Sequence, residues 1–185
     1  MALNQRKLAV GAAIAVAAIA LVLGLTHREG LTGEDESEAE AALHRLDPHT
    51  ARESLTDRCK TPPKPDDLIA TRACAALRDT SALDDKPLVA AARLNELSHA
   101  SPPASSRPML DEIQVMRVEL LITAGHSREA AHEAQAWADA RKDDETVGAV
   151  RLWVAAMRAQ RAVGYDDQAG DDARHAIHLA ARVKH

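Results

Sequence analysis

Between Leu8 and Leu25 the chain reads LAVGAAIAVAAIALVLGL, eighteen residues with no charged and no polar side chain. In hydrocarbon the backbone amides of a lone segment must be satisfied within the segment itself, which leaves it one fold, the helix. Such a helix rises roughly 27 Å, close to the hydrocarbon thickness of a bilayer. The segment is read as a transmembrane anchor, with a polar linker after it at residues 26–33. Arg6 and Lys7 precede it, whereas Arg28 stands alone on the far side before an acidic run at Glu34, Asp35, Glu36, Glu38 and Glu40. The positive-inside rule then expects residues 1–7 in the cytoplasm and the body translocated. One rival is a cleaved signal peptide, but the small-x-small sites Ala15-Val16-Ala17 and Ala18-Ile19-Ala20 lie inside the apolar run. The other is a buried core helix, which a segment apolar on every side and next to the terminus does not resemble. Small residues four apart (Gly11 with Ala15, Ala13 with Ala17, Ala20 with Gly24) let two such helices approach closely, so a homo-oligomer is one partner the segment allows.

Beyond the anchor the chain is acidic. Arg6, Lys7, Arg28 and Glu29 are the charges of residues 1–33, so 20 of the 23 basic and 27 of the 28 acidic side chains fall after them, a net of −7. A nucleic-acid binder needs a basic surface, and that class is set aside. Aromatic residues amount to Trp137, Trp153 and Tyr165, with no Phe, and β-branched residues are sparse outside the anchor. Such a composition makes poor strands and good helices. Abundant alanine further requires close helix packing, because each small side chain buries little area. The alanine- and arginine-rich, lysine-poor usage points to a GC-rich bacterial source, and with the anchor it predicts an inner-membrane, single-pass protein with a periplasmic C-terminal body. In that oxidising compartment Cys59 and Cys74 are expected to pair, closing a loop worth about 3 kcal/mol in the chain-entropy model. The alternative is two buried free thiols acting as small hydrophobes.

The expected elements are all helical, in an N-terminal helical region at 34–100 and a second region at 109–185. A helix over 34–46 precedes one capped at Asp47-Pro48 and ending near Cys59. Another starts at Asp66, a loop covers 79–86, and a fourth restarts at Pro87. Ser101 to Pro108 (SPPASSRP) reads as a linker between the two regions. Beyond it, 108–124 is apolar on most sides and ends at Gly125, Ser127 is placed to cap a helix to about 141, and helices over 144–163 and 166–183 meet at Gly164.

Shifting the chain by 39 residues superimposes the last four helices on themselves: Gly125 falls on Gly164, Ala130 on Ala169 and Ala134 on Ala173. Each unit is a helix, a glycine turn and a second helix with small residues every fourth position. The segments A-G-H-S-R-E-A-A (124–131) and V-G-Y-D-D-Q-A-G (163–170) carry a resemblance to the tetratricopeptide repeat over about residues 109–183, in a degenerate form with a longer period and few of the motif's aromatic residues. The resemblance implies a stack of antiparallel helical hairpins whose first helices line a groove for protein partners. On that basis Glu112, Glu119, Arg151, Arg158 and Arg161 are the candidate partner groove. The arginines either receive carboxylates from a partner or simply pair within the chain, Glu112 with Arg151 and Glu119 with Arg158, as exposed bridges of ~0–1 kcal/mol each.

Catalytic chemistry is not signalled. The chain has no glycine-rich phosphate loop, GxSxG or HExxH, and paired acids such as Asp143-Asp144 and Asp171-Asp172 sit where helix starts favour them. No catalytic residue, metal ligand or cofactor is assigned, although His175, His178, His132 and His185 keep a metal or small-ligand site in view as the alternative. The expectation is therefore an all-α, membrane-anchored scaffold or assembly factor that is not an enzyme and binds an envelope protein. Its alternative is a periplasmic sensor or regulator.

Overall fold

The computed structural model describes residues 33–64, 66–81, 83 and 85–183. Leu8–Leu25, with the anchor, its orientation and its self-association, lies outside the described residues, as does His185. Among the described residues every regular element is helical, and no helix is long and apolar enough to cross a membrane. The order is α1 (33–46), α2 (Ala51–Cys59), α3 (Leu68–Ser81), α4 (Pro87–Ser98), a 3-10 turn (Ala104–Ser106), α5 (Arg107–Thr123), α6 (Ser127–Asp139), α7 (Val147–Val163) and α8 (Asp166–Ala180).

Several helix starts differ from expectation, those of α2, α3 and α7 because a carboxylate expected to cap is engaged elsewhere or a better cap stands nearby. Asp47 accepts from the His49 N–H and from Arg151, and α2 starts later under Thr50. There the Thr50 hydroxyl accepts from the Glu53 N–H (3.2 Å) while the Glu53 carboxylate accepts from the Thr50 N–H (2.9 Å), satisfying two orphan donors reciprocally. Asp67 rather than Asp66 sits before α3, accepting from the Ala70 N–H (2.9 Å) and from the Ser106 hydroxyl (2.7 Å). The start of α3 is thereby tied to the 3-10 turn. The helix then continues past Asp79, where a loop was expected. Asp144 is held by Arg141 at 2.8 Å, which leaves Thr146 to cap α7 by accepting from the Ala149 N–H. Ser127 is the first residue of α6 and not its cap.

The two glycine turns close alike. Gly125 and Gly164 have φ of +79° and +88°, a backbone region glycine enters without a Cβ clash. The Gly125 N–H donates to the Ile122 carbonyl and the His126 N–H to that of Leu121. Gly164 and Tyr165 donate in the same way to Arg161 and Gln160. Both helix ends thus satisfy their last carbonyls through the same paired bonds. After each turn the second helix lays small residues against its neighbour: Ala130, Ala134 and Ala138 in α6, and Ala169, Ala173 and Ala176 in α8, are fully buried.

α5 is apolar on most sides because helices surround it: α2, α3, α4, α6 and α7 all touch it. α7 in turn contacts α5, α6 and α8. One hydrophobic core runs from Ala39 and Ala42 through Leu55, Leu94, Ile113, Leu121, Leu152 and Met157 to Leu179. It continues across residues 101–108, so the Pro/Ser segment expected to separate two regions is a connection within one core. Cys59, at the end of α2, and Cys74, in α3, form a disulfide with Cα atoms 5.6 Å apart.

Candidate partner groove

Arg151 and Glu112 lie on α7 and α5, with Nε and Oε1 3.6 Å apart. The expected pairing is present, but not as an exposed bridge: only 3% of the Arg151 side chain and 5% of the Glu112 side chain are accessible. Burial pushes the Glu112 carboxyl up to about 7, against the opposing pull of Arg151 and a hydrogen bond with Ser54. Its Oε2 has no hydrogen-bond partner among the described residues, and neither has the Arg151 Nε. Arg151 directs its Nη2 to the carboxylate of Asp47 and to the His49 carbonyl (2.5 Å), both in the α1–α2 connection. For Asp47, burial acts to raise the pKa, but the hydrogen bonds from Arg151 and the His49 N–H prevail and hold it below the ordinary value.

Two turns further along α7, Arg158 pairs with Glu119 at 3.4 Å, as expected, and donates from Nε to Glu40 of α1 at 3.1 Å. Here the side chains are about half exposed. Arg161 reaches Glu36 of α1 (3.5 Å) and Asp166 of α8 (3.6 Å). On α8, Arg174 donates to Asp35 at 2.6 Å. All five sequence-predicted positions thus gather on one face of α5 and α7, and α1 lies across that face. The acids of α1 were legible as a cluster beside a helix start. What was missed is that Glu36, Glu40 and Asp47 match Arg161, Arg158 and Arg151 in reverse order. A cleft of about 250 Å³ remains between α1 and the floor, bounded by Leu43 and His44 above and by Val115, Glu119 and Val154 below.

Two further polar clusters escaped the sequence. Arg117 is buried in α5, donating to Glu133 (2.7 and 2.8 Å) and Glu129 (3.0 Å) of α6 and to the Ala91 carbonyl of α4 (2.7 Å). Asp111, also on α5, is pushed up by burial while Arg141, at 2.5 Å, pulls the other way. The histidines do not converge: His175 packs on Trp153 with ring centroids 4.1 Å apart, while His132 and His178 are exposed. Among the described residues no group of three or more His, Cys, Asp or Glu is placed to hold a metal ion.

No protein-family model, curated protein or solved structure matches this chain.

Proposed function

We propose that the chain is a membrane-anchored protein-interaction module: a tetratricopeptide-like stack of helical hairpins, held at a bacterial inner membrane by residues 8–25, that serves in the periplasm as a scaffold or assembly factor of an envelope complex. The observation that carries the interaction reading is the line of Arg151, Arg158 and Arg161 along one face of α7, above an apolar floor shared with α5. Guanidinium groups in a row bind carboxylates directionally, and rows of first helices in hairpin stacks are where such arrays present side chains to other proteins. The anchor reading stands on the uncharged apolar run and its flanking charges, and the paired cysteines agree with a body outside the reducing cytoplasm.

Partner capture tests the interaction reading. The full-length protein is solubilised from membranes after in vivo cross-linking, as wild type and as Arg158→Glu. Arg158 is half exposed, so its reversal leaves the core intact. Loss of the cross-linked species in the variant supports the groove, and undiminished capture shows that partners bind elsewhere.

A further inference from the structure

The groove already holds a helix. α1 runs antiparallel to α7, and its carboxylates, followed by Asp47 just past its end, meet the arginines in order: Glu36 with Arg161, Glu40 with Arg158, Asp47 with Arg151. Glu36 and Glu40 stand roughly 6 Å apart along α1 and Arg161 and Arg158 roughly 4.5 Å apart along α7, so the two ladders stay in step. We propose that α1 is a displaceable resident of this groove, standing in for a partner whose docking element is an acidic amphipathic helix with carboxylates at this spacing. The inference rests on the interaction reading above and names the chemistry of its ligand.

Three features set α1 apart from the helices beneath it. Its apolar anchor is thin: Ala39 and Ala42 are buried, but Leu43 and Leu46 are only partly so. Its ion pairs reach solvent, Glu40–Arg158 at both ends and Glu36–Arg161 and Asp35–Arg174 through their half-accessible arginines, and exposed pairs hold weakly. It also fills the groove incompletely, as the cleft under Leu43 and His44 shows. The floor, by contrast, belongs to the part of the core built by α5, α6, α7 and α8, to which α1 adds Ala39 and Ala42 as its buried residues. Lifting α1 uncovers Val115, Val154 and Ala155 beside the charged Arg151, a surface that another helix must cover. A helix with larger apolar residues at the positions of Leu43 and His44 would fill the cleft that α1 leaves.

The test uses the full chain in detergent and, as probe, a synthetic peptide of residues 33–49, which includes Asp47. Glu36→Lys/Glu40→Lys turns two attractive pairs into repulsive ones and vacates the groove. The labelled peptide is expected to bind this variant about 10-fold or more tightly than wild type, since the resident helix no longer competes. Adding Arg158→Ala/Arg161→Ala, which removes the groove cations without re-pairing the new lysines, should abolish binding. No binding to the vacated chain, with Trp153 fluorescence still native, overturns the proposal, as does equal binding to both chains. So does exchange of α1 between copies, seen as a peptide-sensitive dimer of the wild type. Should the variant not fold, hydrogen exchange on the wild type decides. The amides of α1 should exchange on the order of 100-fold faster than those of α5 and α7, by local opening. Protection equal to that of α7 would make α1 part of the core and end the proposal. Loss of peptide binding with partner capture still dependent on Arg158 would sink this inference alone.

Discussion

At position 148 there is no room for a methyl group. A Cβ there would come within 2.2 Å of the Asp111 carboxylate, which is pinned by Arg141 across the start of α7. The carboxylate cannot swing away without giving up a buried ion pair. Gly148→Ala is therefore expected to destabilise the protein by about 1–3 kcal/mol in chemical denaturation, whereas Gly33→Ala, with nothing within 4 Å, should be silent. A second residue is set by its surroundings. Asp172 is buried, and burial pushes its carboxyl up to about 7; Gln135 opposes this, and Asp139 and Asp171 reinforce it. Its Oδ2 has no hydrogen-bond partner among the described residues. A carboxyl raised in the folded state contributes stability below the unfolded value near 3.8 and loses it as pH rises through 7. Asp172→Asn does not titrate there, so its stability relative to wild type should climb between these limits, by at most about 4 kcal/mol, and then level off. A difference between the two proteins that stays constant with pH would contradict the account.

Elements are joined by charge as well as by alanine packing. Arg117 connects α5 to α6 and to the backbone of α4 while almost wholly excluded from water. Removing one partner of a buried charge network leaves the others unpaired. Arg117→Met is expected to cost about 3–5 kcal/mol in urea denaturation, against ~0–1 kcal/mol for Arg158→Ala, whose partners are solvated. Comparable losses in the two variants would show the burial argument to be mistaken. Helix identity was legible because it depends on local signals. Gly125 and Gly164 ended helices as expected, Pro87 opened one, and the small residues of α6 and α8 faced the core. Cap positions were less legible, since Asp47 and Asp144 have the right chemistry for capping but are drawn off by Arg151 and Arg141. Those arginines are 104 residues and 3 residues away respectively, and the long-range partner left no local mark.

For the whole molecule, the pairing of Glu112 with Arg151 and of Glu119 with Arg158 came from a 39-residue shift, because equivalent positions of neighbouring hairpins come together. That α1 would return across those hairpins had no periodic signal. The match of its acids to the α7 arginines emerges only when the two helices are laid antiparallel. The pairing of Cys59 and Cys74 was expected from an argument about compartment and from a turn between two helices that brings them within reach, and the bond is present. The proposed function requires the folded body to stand outside the cytoplasm on an anchor formed by Leu8–Leu25. Protease added to spheroplasts, with thiol alkylation of the same sample, tests this most directly. The account predicts a membrane-bound chain whose body is digested from outside and whose Cys59 and Cys74 resist alkylation until reduced. A protected body with freely alkylated cysteines would contradict it.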